Sequence, residues 1–208
     1  VSRARKHFER AVRIDPKFAR AWAGMAQVEM IDAMASQGAE RDQAIVAMRE
    51  AAERAYEADP IDPSANLVVG WTQEILGKNQ EALDWGLRAV ELAPSYAYAH
   101  HNIGVQNAYA EEAEKAIERF STALRLNHRG PERFSCYRDL SVANFMKGDV
   151  ESAIEMGCKA GEAPYDELQM LLVALGANHL KGDQAKAKRI AGRIRATFPG
   201  NVWGAAYG

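Results

Sequence analysis

The chain has little of several features that would define its class. It has only two cysteines in 208 residues, which excludes a disulfide framework and predicts a reducing, cytoplasmic location. No apolar run approaches the roughly 18 residues of a membrane span, so we expect no membrane partner. The formal net charge is only −2, which gives no general reason to bind nucleic acid. Alternation of apolar and polar residues never persists, which argues against strands.

Patterns for catalysis and metal binding are lacking as well. The stretch Tyr137 to Asn144 resembles the catalytic loop of a protein kinase, but no Gly-rich loop, strand lysine or Asp-Phe-Gly accompanies it. His100 and His101 are adjacent, and neighbours on a helix point about 100° apart and rarely share an ion. The sequence therefore predicts a protein that is not an enzyme and has no cofactor and no metal. An enzyme in its own right is an alternative, and a deep polar cavity would be its sign.

What the chain does have is a repeat of 34 residues. Within Pro63 to Gly130, Gly70 returns at Gly104 and Ala82 at Ala116. Further matches at this spacing are Ala89 with Ala123, Leu92 with Leu126, and Gly148, Asp149 and Ala153 with Gly182, Asp183 and Ala187. Such a period predicts helix-turn-helix units that must stack to bury their apolar faces. Gly70 and Ala82 would let paired helices approach closely.

The pattern resembles the tetratricopeptide repeat family, whose consensus is Trp-x2-Leu-Gly-x2-Tyr, then Ala-x3-Phe-x2-Ala, then Pro. It reads here as Trp22 and Met25; Gly70, Ala82, Ala89 and Pro94; Gly104, Ala116, Phe120 and Ala123; and Ala4, Phe8, Ala11 and Pro16. The resemblance implies an all-α, right-handed solenoid of stacked helix pairs that binds other proteins. More loosely, the sequence is similar to the C-terminal repeat regions of bacterial adenylate cyclases and winged-helix regulators. A regulatory module of such a signalling protein is therefore an alternative function.

We expect one array over residues 1–200. Its parts are 1–16 as the second half of a repeat, 19–60 as an extended repeat, repeats over 63–96, 97–130, 134–165 and 168–199, and 201–208 as a tail or cap. Tight turns are predicted at Gly77-Lys-Asn, Glu111-Glu112, Lys147-Gly-Asp and Lys181-Gly-Asp. A longer turn is predicted over Ser36 to Glu40, and a delayed helix stop at Pro131. Because the chain opens in half a repeat at Val1, we expect an upstream partner helix. Trp203 and Tyr207 would cover the last apolar face, and exposed terminal repeats would favour self-association.

The candidate binding site is the concave face that the first helix of each repeat lines in this family. Positions 2, 5, 9, 12 and 13 of that helix centre roughly 140° from the packing positions. The candidate groove residues are Trp71, Tyr98, His101, Asn102, Tyr109, Arg138, Phe145, Met146 and His179. The same pattern also includes Glu74, Ile75, Val105, Val142, Leu172 and Gly176.

Aromatic side chains with polar tips are enriched in binding surfaces, so these residues favour a protein or peptide partner with an apolar or aromatic segment. Some family members grip a C-terminal carboxylate with lysines and asparagines at positions 2, 5, 6 and 9. This chain has only Asn102, at position 6, and lacks those lysines. Several groove residues could instead pack against the neighbouring helix, as stacking demands.

The stretch from Lys181 to Arg195 holds six basic residues and a single acid, Asp183. A basic helix can bind phosphates. It can equally be a solvated outer face whose last-turn arginines suit the helix dipole. No aromatic residue is interleaved with the charges, so the sequence favours the solvated face.

Overall fold

The computed structural model describes residues 2–130, 132–163 and 168–197. These residues contain helices and no strand, which confirms the all-α prediction. The helices are α1 (Ser2–Ile14), α2 (Ala19–Ala35), α3 (Gly38–Ala58), α4 (Pro63–Ile75), α5 (Asn79–Leu92), α6 (Ala97–Tyr109), α7 (Ala113–Leu126), α8 (Arg133–Lys147), α9 (Val150–Ala160), α10 (Leu168–Lys181) and α11 (Gln184–Thr197). The chain forms two compact units, an N-terminal unit (1–106) and a C-terminal unit (107–208).

The turns that follow α4, α6, α8 and α10 share one geometry. Each contains a residue in the left-handed region, and the next N–H donates to the carbonyl five residues earlier at 2.9 Å. This is the long bond of the Schellman motif, which satisfies a carbonyl at the helix end. The left-handed residues are Gly77, Glu111, Gly148 and Gly182. The four predicted tight turns are thus confirmed, and one of them uses a residue other than glycine.

The longer turn predicted over Ser36 to Glu40 is wrong. Only Ser36 and Gln37 separate α2 from α3, and the extra residues lengthen α3 to 21 residues. The sequence Ala39-Glu-Arg continues a helix readily because all three residues are strong helix formers. Gly38 and the polar residues before it resemble a break in the sequence, yet Gly38 is the first residue of α3.

Small residues set the packing of the N-terminal unit. Its core cluster is Ala23, Ala26, Met48, Ala51, Ala52, Ala55, Ala65 and Val68, from α2, α3 and α4. A Cβ placed on Gly70 would lie 3.1 Å from Cβ of Trp85 and 3.3 Å from the carbonyl oxygen of Ala82. The predicted close approach of α4 and α5 is therefore confirmed, and it depends on the missing side chain.

The C-terminal unit is built in the same way. Its core cluster is Leu171, Ala174, Leu175, Ala187, Ile190, Ala191 and Ile194, from α10 and α11. A Cβ on Gly157 of α9 would lie 2.7 Å from Cβ of Ala177 and 3.0 Å from Oγ of Ser141. The helix α9 therefore sits close against both α8 and α10. The predicted stop at Pro131 and the predicted cap over 201–208 lie outside the described residues.

Candidate functional site

A recurring hydrogen bond anchors the start of three first helices. In each case a side-chain nitrogen lies 2.9 Å from the carbonyl oxygen of a proline six residues earlier. The pairs are Trp22 with Pro16, Asn66 with Pro60 and His100 with Pro94. A carbonyl only accepts, so His100 presents its Nε2–H there.

His100 is therefore a buried packing residue at the position where the family has its tryptophan, as its place in the repeat predicts. His101 beside it is only half-buried. Among the described residues, no group of three or more His, Cys, Asp or Glu side chains is placed to hold a metal ion.

In the N-terminal unit, the predicted aromatic groove residues lie largely within the helix packing. Trp71 packs against the α2–α3–α4 cluster and against a second cluster of Leu67, Ala89 and Ala99. Tyr98 packs against that second cluster and lies 6.1 Å from Tyr96, centroid to centroid. Most of the surface of these rings is thus used in stacking the helices.

Asn102 lies in the interior of the same unit and is only 3% exposed. Its Nδ2 donates to Oε2 of Glu74 at 3.0 Å, and Nε2 of Gln106 donates to the same oxygen at 2.9 Å. The two amides fix the orientation of a half-buried carboxylate on the first-helix face. Sequence reasoning missed Gln106, although its spacing of four residues from Asn102 places both on one side of α6.

In the C-terminal unit, the predicted positions Val142, Phe145, Leu172 and Gly176 meet around one cavity of about 210 Å³. The other lining residues are Ser141, Val150, Ala153, Ile154, Val173, Ala177 and Leu180, from α8, α9 and α10. Ser141 is the one polar side chain in this lining, and its hydroxyl donates to the carbonyl of Ala153 at 2.7 Å.

The rim of this cavity is exposed and apolar. Phe145 is 63% exposed and Leu180 is 61% exposed. Met146, beside Phe145, is 43% exposed. The cavity therefore presents a largely apolar surface to solvent, and its one polar side chain, Ser141, is already bonded to the backbone.

The remaining predicted residues lie elsewhere in the C-terminal unit. Tyr109 is exposed near the end of α6. Arg138 donates to both carboxylate oxygens of Asp139, at 2.7 and 3.0 Å, and both residues lie within α8. The whole kinase-like stretch from Tyr137 to Asn144 lies within this helix. His179 lines a second cleft with Lys188 at the α10–α11 turn.

Both cysteines are free thiols. Cys136 is buried and Cys158 is half-buried. Burial raises the pKa of the Cys136 thiol to about 12, so it stays protonated and unreactive at neutral pH. Among the described helices, none has both the length and the apolar character needed to cross a membrane.

The tetratricopeptide repeat family model matches residues 41–97 and 108–167, together more than half of the chain. The chain belongs to the tetratricopeptide repeat family. As in this family generally, the helix-turn-helix array supports a protein–protein interaction scaffold, and such repeat proteins are typically non-catalytic. No curated protein sequence matches this TPR chain.

Solved TPR structures share the fold at low sequence identity. A chain of the APC/C hetero-tetramer Cut9–Hcn1 is 20% identical with a TM-score of 0.75, over 99% of this chain and 38% of that chain. PilF of Pseudomonas aeruginosa is 18% identical with a TM-score of 0.68, over 96% and 85% of the two chains. YrrB, a TPR protein with an unusual peptide-binding site, is 21% identical with a TM-score of 0.53, over 83% and 82%. At these identities the likeness concerns the fold alone.

Proposed function

We propose that this TPR chain is a non-catalytic scaffold that binds an apolar segment of a protein or peptide partner on the first-helix face of its C-terminal unit. The observation that carries the proposal is the apolar cavity between α8, α9 and α10. Large apolar side chains exposed together mark interaction sites, because burying them on a partner removes apolar surface from water.

The cavity fits one large apolar side chain of the partner. Its volume of about 210 Å³ exceeds the roughly 150 Å³ that suffices to bind benzene in an apolar protein cavity. Phe145 on α8 and Leu180 on α10 flank it, so an inserted group would contact two repeats at once. Tyr109 and Met146 are further contact candidates because they are exposed.

The other predicted groove residues divide between the two units. Arg138 and His179 lie in the C-terminal unit and are candidates for polar contacts at the edges of the bound segment. Trp71, Tyr98, His101 and Asn102 belong to the N-terminal unit, where their role in binding stays a prediction.

Selection from a displayed library of random peptides tests this function. We expect the enriched peptides to share at least one large apolar residue. With such a peptide, Phe145→Ala should cost about 2 kcal/mol of binding, the usual threshold for a hot spot. Because this side chain is mostly exposed, the variant should melt close to wild type.

Gly176→Leu is the complementary variant. A Cβ on Gly176 would meet no described atom within 4 Å, so a leucine there should fill the cavity without disturbing the helices. We expect it to abolish binding while the protein stays folded. Val46→Ala on α3, which removes an exposed apolar side chain from a second helix, is the control. Wild-type affinity in both Phe145→Ala and Gly176→Leu would disprove the proposed function.

A further inference from the structure

The outward face of α11 carries charge of a single sign. Ala187, Ile190, Ala191 and Ile194 pack inward, in the core cluster with α10. The charged residues of α11 are Lys186, Lys188, Arg189, Arg193 and Arg195, and the helix has no acid. Lys188, Arg189 and Arg195 are exposed. The face spans about 14 Å from Lys186 to Arg195, at 1.5 Å per residue.

The other second helices of the repeats are mixed in charge. α3 has five acids and three bases, α5 three and one, α7 two and three, and α9 two and one. The helix α1 is also basic, with five bases and one acid, but its Arg5 is paired with Glu29 and Asp32 of α2. In a chain of net charge −2, the positive charge of α11 is therefore a local concentration.

Four of the five basic residues of α11 form no ion pair within the described part of the chain. These four are Lys186, Lys188, Arg189 and Arg195. By contrast, the ammonium group of Lys115 lies 2.7 Å from the carboxylate of Glu112, and that of Lys159 lies 2.6 Å from the carboxylate of Glu155. Like charges three or four residues apart on a helix destabilise it. The helix dipole favours Arg195 in the last turn, but it gives no reason for the cations earlier in the helix.

Gly192 lies in the middle of the basic face. It is exposed and helical, and a Cβ there would meet no described atom within 4 Å. Glycine weakens a helix interior relative to alanine, and neither packing nor a left-handed backbone requires it here. Lys188, Arg189 and Arg195 lie one turn away on either side. The glycine leaves the space between these cations open to an anionic group.

We propose that the outward face of α11 is a second docking surface, which binds a short acidic segment of a polypeptide. Arginine guanidinium groups pair with carboxylates in a two-bond geometry, and two of the four cations without an ion pair, Arg189 and Arg195, are arginines. A segment of a few consecutive acidic residues matches a face of about 14 Å. This surface is separate from the apolar cavity and does not depend on the function proposed for that cavity.

Other anionic partners fit the face less well. A nucleic acid duplex extends far beyond 14 Å, and α9, which also packs on α10, carries Glu151 and Glu155 at exposed positions. The face has no aromatic side chain on which single-stranded bases could stack. It also has no large apolar side chain to enter a lipid bilayer.

Fluorescence anisotropy with a labelled octamer of glutamate tests the proposal on the full chain. The double variant Lys188→Glu/Arg189→Glu should bind at least about tenfold more weakly. The double variant Arg41→Glu/Arg49→Glu on α3 changes the net charge by the same amount at exposed positions and should stay within about twofold of wild type. Raising salt from about 0.05 to 0.3 M should weaken wild-type binding, because exposed ion pairs are screened.

Three further arms distinguish the partner classes and the two sites. Single-stranded DNA, duplex DNA and vesicles of phosphatidylcholine with phosphatidylserine should all bind more weakly than the acidic peptide. Phe145→Ala should leave the affinity for that peptide unchanged. Gly192→Ala should bind about threefold more weakly while melting no lower than wild type, since alanine favours a helix.

Three outcomes would overturn the proposal. These are absence of wild-type binding to the acidic peptide, equal losses in the two charge-reversal variants, and tighter binding of DNA or vesicles.

Discussion

Glu111 occupies a turn position that its three counterparts fill with glycine. Its φ is +59°, against +73°, +87° and +85° at Gly77, Gly148 and Gly182. The left-handed conformation costs a residue with a Cβ roughly 1–2 kcal/mol. Replacement by glycine removes that cost but adds about 0.5–1 kcal/mol of backbone entropy lost on folding. Glu111→Gly should therefore raise the free energy of unfolding by about 0.5–1 kcal/mol.

The turn itself should survive this change. Its closing bond runs from the Glu112 N–H to the carbonyl of Asn107 at 2.9 Å and does not involve the side chain of Glu111. For a chain of 150–250 residues, 1 kcal/mol corresponds to about 2–4 °C in melting temperature. We expect Glu111→Gly to melt about 1–4 °C higher in a thermal scan followed by circular dichroism, with a matching shift in the urea midpoint.

Two controls separate backbone strain from loss of the carboxylate. Glu111→Ala removes the charge but keeps the Cβ, so its stability should stay within about 0.5 kcal/mol of wild type. Gly148→Ala is the reverse change, and because its Cβ would meet nothing within 4 Å, it should lose about 1 kcal/mol to strain alone. The reasoning fails if Glu111→Gly is no more stable than Glu111→Ala, or if Gly148→Ala has no effect.

Three further predictions concern other parts of the fold. Asp62 accepts from two N-terminal amides of α4 and from Arg20, so Asp62→Ala should cost about 1–2 kcal/mol in urea unfolding. Burial acts to raise the pKa of Asp62, but Arg20 and the two amides lower it more, and the net shift is downward. Its stabilisation is then full above the unfolded pKa of about 3.9 and lost as pH falls through the lower folded value. Asp62→Asn should lose less stability than wild type over that range, and parallel losses would contradict this. His100→Phe should lower the free energy of unfolding by about 1 kcal/mol, because it loses the hydrogen bond to the Pro94 carbonyl. His100→Trp keeps a ring N–H donor, as in the family consensus, and should lose less. Equal melting temperatures of the two variants would show that the bond contributes nothing. Gly157→Leu should lower the free energy of unfolding by about 1–3 kcal/mol through overpacking, while Gly176→Leu should leave it unchanged. Similar melting temperatures of the two variants would argue against the close packing at Gly157.

The helices and turns of this protein could be predicted because their signals are local. The helix Val150–Ala160 follows from Gly148, which takes the left-handed turn, and from Asp149, whose side chain accepts the Ser152 N–H at 3.0 Å. The 34-residue recurrence of small residues predicts which helix surfaces approach each other, since only small residues fit there. The structure confirms such an approach at Gly70.

The tertiary structure decided which groove positions are open to solvent. Trp71, Asn102 and Phe145 are all predicted groove residues, yet Phe145 is 63% exposed while Asn102 is 3% exposed. The difference arises because the helical angle gives the direction of a side chain but not what a neighbouring helix places over it. Glu74 and Gly86 belong to other helices, and they enclose Asn102 only once the helices stack.

The fold also decided the apolar cavity and the absence of an ion pair, in the described part of the chain, at four of the five cations of α11. The cavity is lined by three helices whose residues are scattered from Ser141 to Leu180, and its volume depends on how α9 and α10 pack beside α8. The sequence determined that α11 is basic, since five bases stand there without an acid. Whether those charges would find partners was decided by the fold, because ion pairs depend on distances between side chains that the order of residues does not specify.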